Sequence, residues 1–152
     1  PALKRWTEDY LATAIGLEYV PQDLVDKYAE SNKSLAEFTQ SDEYQKQVDK
    51  AKVSLAPFYA ADGRYLNFQI NRLELKWQDQ LYNRNTLDLK YSLQSYERIN
   101  YVDDLVTVTI QLDYDFDNGN YYGMENLQFE KIAGEWKVLA GEFTTQYMAQ
   151  WR

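Results

Sequence analysis

The sequence predicts an α+β fold in which three N-terminal helices pack on a curved, bulged antiparallel sheet of four to six strands. Two observations predict it. Apolar residues recur every three or four positions in the first 60 residues, and they alternate with polar residues from residue 62 to residue 142. Helices that precede a run of hairpin-linked strands are typical of α+β domains, in which the helices cover one face of the sheet.

The helices are predicted from their apolar stripes and their capping residues. Pro21 can occupy the first turn of the second helix, where a missing N–H costs nothing. Ser34 and Glu37 have capping-box spacing, Ser41 opens the third helix, and Pro57 ends or kinks it. The stripes are Leu3, Trp6, Tyr10, Ala14 and Leu17; Leu24, Val25 and Tyr28; and Tyr44, Val48, Ala51 and Leu55.

The first predicted strand, around residues 65–77, changes face partway along. Its apolar residues keep one phase up to Ile70 and the opposite phase from Leu73, so we expect a β-bulge near Asn71 or Arg72. Asn118-Gly119 and Ala133-Gly134 are hairpin turn signals between the later strands. The later apolar faces are Leu87, Leu89, Tyr91 and Leu93; Val106, Val108, Ile110, Leu112, Tyr114 and Phe116; Tyr121, Leu127 and Phe129; and Trp136, Val138 and Ala140.

Length and composition favour one domain over residues 1–152, helical at 1–60, a sheet at 62–142, and a short C-terminal extension at 143–152. The chain has no His and no Cys, which excludes a thiol nucleophile, a disulfide, an imidazole base and a Cys or His metal site. Its net charge of −8 repels phosphate backbones, so we do not expect a nucleic-acid partner.

The order of the elements, the long bulged strands and the closing segment from Leu127 to Val138 resemble the nuclear transport factor two-like superfamily. That segment has a strand, a turn that contains Gly134, and then Trp136-Lys137-Val138. The resemblance spans most of the chain and implies a cone built from three helices and a curved sheet. A cystatin-like or other α+β sheet is the alternative.

Within the superfamily, the chain looks most like two noncatalytic groups. They are the extracytoplasmic domains of membrane-anchored Gram-positive envelope proteins and the assembly domains of type IV secretion and conjugation systems. The resemblance implies a noncatalytic interaction domain outside the cytoplasm, with protein partners that can include a second copy and with any membrane anchor outside this chain. A cytoplasmic location is the alternative.

The alternative is that the chain binds a small ligand, or acts as an enzyme, at the mouth of the cone. The predicted inward strand positions are almost wholly aliphatic, which argues against catalysis, so we expect no catalytic residue, metal ligand or cofactor. They are Leu87, Leu89, Leu93, Val106, Val108, Ile110 and Leu112.

Four aromatic residues are the candidate binding residues. Tyr121 and Tyr122 lie beside the predicted Gly119 turn, and Trp77 and Tyr91 are placed to line the mouth of the cone. Tyrosine supplies contact area at a low cost in side-chain entropy and is enriched in recognition surfaces.

Alternating carboxylates at Asp113, Asp115 and Asp117 resemble the start of a calcium loop. However, Asn118 stands where such a loop needs Gly, and Met124 stands where it needs a bidentate Glu. We therefore expect these carboxylates on the solvent face of a strand. A last apolar run at helical spacing is expected to cap the sheet or to bind a partner; it comprises Phe143, Tyr147, Met148 and Trp151.

Overall fold

A computed structural model describes residues 2–85, 90–116 and 119–139 of the chain. The chain divides into two compact units, one comprising Pro1–Ala56 with Leu66–Leu87 and the other Pro57–Tyr65 with Asp88–Arg152. Five α-helices and a four-stranded antiparallel sheet confirm the α+β class. The described strands form an open sheet, and the cone stays a prediction.

The helical unit begins with α1 (Ala2–Gly16), α2 (Gln22–Ser31), α3 (Leu35–Phe38) and α4 (Asp42–Leu55). The predicted caps are confirmed, because the Glu37 N–H donates to Ser34 Oγ at 3.2 Å and the Ser34 N–H donates to Glu37 Oε1 at 3.1 Å. At the start of α4, the Tyr44 N–H donates to Ser41 Oγ at 3.3 Å. The largest buried side chains of this unit are Tyr10, Leu11, Ile15, Tyr44, Leu55, Leu73, Trp77 and Leu81.

The strand predicted over residues 65–77, with a bulge near Asn71 or Arg72, is wrong. This segment belongs to α5 (Arg64–Asn83), the longest helix described, so residues 64–83 do not belong to the sheet. The buried apolar residues of α5 recur every three or four positions, as on one side of a helix. Exposed apolar residues elsewhere on the helix gave the sequence its apparent strand-like change of face after Ile70. The buried apolar residues of α5 are Ile70, Leu73, Trp77 and Leu81.

The sheet consists of β1 (Lys90–Val102), β2 (Leu105–Phe116), β3 (Gly119–Ile132) and β4 (Glu135–Val138), in that order. Register shifts between Leu93 and Ser95 and between Tyr96 and Arg98 show that the irregularities lie in β1. The predicted apolar phase of β2 is confirmed from Val106 to Tyr114, the side chain of Phe116 lies outside the described residues, and β3 continues the same buried face. This inner face includes Val106, Val108, Ile110, Leu112, Tyr114, Glu125, Leu127, Phe129 and Val138.

Two short turns connect the strands at one end of the sheet. In the β3–β4 turn, Ala133 has φ +51° and Gly134 has φ +84°, as a two-residue type I′ hairpin requires. In the β1–β2 turn, Asp103 has φ +54°. The predicted Asn118 turn, residues 86–89 and the C-terminal run from residue 140 lie outside the described residues.

Candidate functional site

Trp77 is a packing residue of the helical unit. Its side chain is fully buried, its indole N–H donates to the Leu17 carbonyl at 2.7 Å, and its ring meets the Tyr44 ring edge-on at a centroid distance of 6.4 Å. The prediction that Trp77 lines a strand-built mouth is therefore corrected: it lies on a helix and has no accessible surface to offer a ligand.

Two of the other candidates, Tyr91 and Tyr122, line one cleft of about 330 Å³ in the sheet unit. The register places Ser92, Asp113 and Tyr122 in one row across the three strands. The Tyr122 side chain is 76% exposed, so it can contact a ligand or a partner. The full lining comprises Lys90, Tyr91, Ser92, Asp113, Tyr114, Asp115 and Tyr122.

Tyr121, the fourth candidate, pairs with Tyr114 in the β2–β3 register, and its side chain lies outside the described residues. Asp115 is exposed, while Asp113 is half-buried and its Oδ1 has no hydrogen-bond partner. Asp117 is not described. Over residues 2–85, 90–116 and 119–139, no group of three or more acidic side chains is arranged to hold a metal ion.

Glu125 is a buried carboxyl that the sequence interpretation missed. It pairs with Ile110 on the inner face of the sheet, is fully buried, and accepts a hydrogen bond from the Tyr114 hydroxyl at 3.3 Å. Burial raises its pKa to about 7, and the hydrogen bond from Tyr114 opposes that shift. The signal was present, because Glu125 alternates in phase with Leu127 and Phe129.

Glu18 is a second buried carboxyl, in the link between α1 and α2. Burial raises its pKa to about 8, and the charges of Lys76 and Arg72 partly oppose that rise. Neither carboxyl oxygen has a hydrogen-bond partner. No spacing in the sequence marks this position, since Glu18 follows the last helical turn of α1 and precedes an ordinary loop.

The link that carries Glu18 is held on α5 by side-chain hydrogen bonds to its backbone. Besides the Trp77 bond to Leu17, the Gln80 amide donates to the Glu18 carbonyl at 2.9 Å and accepts from the Val20 N–H at 3.0 Å. These bonds satisfy buried backbone groups that would otherwise destabilise the fold. Glu18 is therefore part of a packed polar layer of the helical unit.

The most exposed apolar surface of the sheet lies at its two short turns. We call the residues Tyr101, Val102, Leu105 and Ile132 the hairpin tip; each is 40 to 57% exposed. Val102 and Leu105 pair directly across β1 and β2. Large apolar side chains are thus grouped at one end of the sheet unit.

An aromatic cluster lies beside the hairpin tip. The rings of Tyr101 and Trp136 have centroids 6.2 Å apart, and the Lys131 ammonium lies 5.3 Å from the centroid of the Trp136 ring. Such stacking and cation–π contacts restrain side chains that would otherwise move freely. The tip is therefore supported by neighbours within its own unit.

The helical unit has an exposed apolar set of its own on α5. Phe68, Leu75 and Tyr82 are each more than half exposed and are separated by seven residues, so they lie along one side of the helix. The Arg72 guanidinium lies 5.2 Å from the centroid of the Phe68 ring. Phe68 and Leu75 contributed to the misleading alternation over residues 65–77.

Within the part of the chain that the structure describes, no helix combines the length and the hydropathy needed to cross a membrane. Comparisons with protein-family models, curated proteins and solved structures gave no match to this chain. The geometry of the two units is therefore the basis for any functional interpretation.

Proposed function

We propose that this chain is a noncatalytic protein-interaction domain, part of a larger membrane-anchored envelope, secretion or conjugation assembly outside the cytoplasm. The observation that carries the interaction proposal is the hairpin tip. Val102, Leu105 and Ile132 lie on one face of the sheet, and Tyr101, the partner of Val106, lies on the other. Grouped apolar surface on a folded domain commonly marks a protein-binding site, whereas single exposed apolar residues need no explanation.

The tip can supply useful binding free energy. Fully burying a Val, Leu or Ile side chain contributes about 1.5–3 kcal/mol, so the exposed half of each would contribute roughly 1 kcal/mol when a partner covers it. Val102, Leu105 and Ile132 together would then give roughly 3 kcal/mol.

The tip is also held in shape before any partner binds. The Lys131 N–H donates to the Asp104 carbonyl at 2.8 Å, which ties β3 to the β1–β2 turn. The Lys137 ammonium donates to the Pro57 carbonyl at 2.8 Å at the start of the same sheet unit. Such preorganisation lowers the entropy cost of binding.

Membership of the nuclear transport factor two-like superfamily is part of this proposal. Helices that precede an antiparallel sheet, a bulged β1 and the Trp136-Lys137-Val138 ending support it. The helix α5 stands where the resemblance implies a strand. The extracytoplasmic location and the anchored assembly rest on the resemblance alone.

The test is site-specific photo-crosslinking in cells that make the full protein. A crosslinking amino acid replaces Val102 or Leu105, and exposed Gln94, far along β1 from the turns, is the matched control position. We expect a discrete protein adduct from the two tip positions and none from Gln94. Equal crosslinking at all three positions, or no adduct at the tip, would contradict the proposal.

The cleft at the other end of the sheet favours a second candidate function, the binding of a small ligand. Tyr91 and Tyr122 both line it, and so does Tyr114, whose hydroxyl reaches the buried carboxyl of Glu125. A compound that raises the melting temperature of the wild type, but not of Tyr122→Ala, would support this function. If every stabilising compound acts equally on Tyr122→Ala, the cleft is not the binding site.

A further inference from the structure

We infer that the partner of the hairpin tip is a basic amphipathic segment, with large apolar side chains on one side and lysine or arginine around them. This inference rests on the proposed interaction function and specifies the chemistry of the partner. It follows from the charges that surround the tip and from the size of its apolar surface.

Four carboxylates surround the hairpin tip: Asp103, Asp104, Glu130 and Glu135. Lys137 lies 3.3 Å from the Glu135 carboxylate and offsets its charge. The Lys131 ammonium lies over the Trp136 ring. Both side chains are on the face of the sheet opposite to Ile132. In the described part of the chain, Asp103, Asp104 and Glu130 form no ion pair within 4 Å. Lys137 is the β4 partner of Glu130 and lies on the same face, so the negative charges that remain uncompensated around the apolar surface are mainly those of Asp103 and Asp104.

Glu130 places a carboxylate directly beside the apolar side chains of the hairpin tip. It is the β3 partner of Leu105, and Leu105 is the β2 partner of Val102, so these three side chains form one row across the sheet. Directly paired side chains lie about 5 Å apart. A partner that covers Val102 and Leu105 must therefore place its next group within reach of the Glu130 carboxylate.

That geometry suits a short helix or strand with two apolar anchors. Side chains four residues apart on a helix lie about 6 Å from each other, which matches the spacing of Val102 and Leu105. Lysine or arginine side chains that flank such anchors would reach the carboxylates of Asp103 and Asp104 in the adjacent turn. An acidic segment would place like charges against the same carboxylates.

The same charges disfavour a second copy of this chain as the partner. A two-fold contact between hairpin tips would bring each Asp103, Asp104 and Glu130 toward its own copy. Each chain also carries a net charge of −8, so two chains repel at long range. A basic partner is attracted by both the local and the overall charge.

The experiment measures binding of three synthetic peptides to the full chain by backbone amide NMR shifts. The first peptide has leucines four residues apart and lysines elsewhere; in the second glutamates replace the lysines, and in the third serines replace the leucines. We expect shifts at Val102, Leu105 and Ile132 with the first peptide only. Its affinity should exceed that of the glutamate peptide at least about tenfold at low salt, with the difference shrinking as salt is added.

Charge-neutralising variants separate the local charges from the net charge. Asp103→Asn/Asp104→Asn/Glu130→Gln removes three of the four carboxylates around the tip, and Asn tolerates the positive φ of Asp103. We expect this variant to bind the lysine–leucine peptide about threefold to tenfold more weakly.

A control variant removes three charges from exposed positions of the helical unit: Asp9→Asn/Asp49→Asn/Asp79→Asn. It should bind the lysine–leucine peptide like the wild type. Equal loss in both variants would show that only net charge matters and would overturn the inference. So would binding of the glutamate peptide as tightly as the lysine peptide, or dimer formation through the tip in sedimentation experiments.

The failure of this inference is distinguishable from the failure of the proposed function. If crosslinking at Leu105 captures a partner whose contacting segment is acidic or uncharged, the inference fails and the interaction function remains. If no partner crosslinks at Leu105, the proposed function fails with it.

Discussion

Two buried carboxyls, Glu18 and Glu125, make the stability of this chain depend on pH in the direction opposite to that of carboxyls whose pKa is lowered by folding. The carboxyl of Glu18 has a pKa of about 8 in the folded chain, compared with 4.5 when it is unperturbed. Between these two values, the folded state binds a proton that the unfolded state has released. The free energy of unfolding therefore falls as pH rises through this window.

The magnitude follows from the linkage relation. Each pH unit well inside the interval between the two pKa values lowers the free energy of unfolding by about 1.4 kcal/mol, so Glu18 alone contributes a loss of roughly 3 kcal/mol from pH 5 to pH 7.5. Glu125, with a folded pKa of about 7, adds a similar slope up to pH 7. Glu37 and Glu43 have lowered pKa values, so their effect lies at more acidic pH.

The assay is urea unfolding followed by circular dichroism at intervals from pH 5 to pH 7.5. We expect the wild type to lose stability steadily across the range. In Glu18→Gln, the free energy of unfolding should fall with pH only by the contribution of Glu125. In Glu125→Gln, it should fall below pH 7 only by the contribution of Glu18. A wild-type stability that is constant or rises with pH would refute this reasoning, as would an unchanged slope in both variants.

Three further predictions concern stability and are measured as urea midpoints. Ser41→Ala removes the N-cap of α4 and should cost about 1 kcal/mol; no loss would show that the cap is not needed. Trp77→Phe keeps an aromatic ring but leaves the buried Leu17 carbonyl without its donor, at a cost of about 1–3 kcal/mol; a cost near zero would contradict the role of that hydrogen bond. Ala133→Gly should stabilise the β3–β4 turn by about 1 kcal/mol and Gly134→Ala should destabilise it, because both positions have positive φ; the opposite order would contradict the observed turn.

Strand β2 and the capped helices were predictable because each has one clear period. β2 alternates from Val106 onward, and the inner positions from Val106 to Tyr114 are buried as its pattern predicts. Ser41 precedes a stripe at steps of four and three, and α4 begins there. In these segments the exposed positions are mostly polar, so nothing competes with the correct period.

The helix α5 was not predictable from the same rules because both of its sides depart from the usual pattern. Its buried side includes Gln69, Lys76 and Gln80, while its exposed side includes Phe68 and Leu75. Polar residues inside and apolar residues outside reproduce the alternation of a strand. Tertiary contacts determine that this segment is helical, and these contacts cannot be predicted from the periodicity of a single sequence.

The candidate site shows the same limit. Glu125 has the same phase as buried Leu127, and Leu105 has the same phase as Thr107 on the polar face of β2. Both residues were signals in the sequence that the predictions did not use. How far each is covered depends on the neighbouring strands, which the sequence does not reveal, and Glu18 gave no periodic signal at all.

The hydrogen bonds between α5 and the α1–α2 link also fix the helix against sliding. A shift by one helical turn moves α5 by about 5.4 Å along its axis. That movement would separate Trp77 from the Leu17 carbonyl and Gln80 from both of its backbone partners at once. Apolar contacts alone would allow neighbouring registers of similar energy, whereas these directional bonds are compatible with a single axial position of the helix.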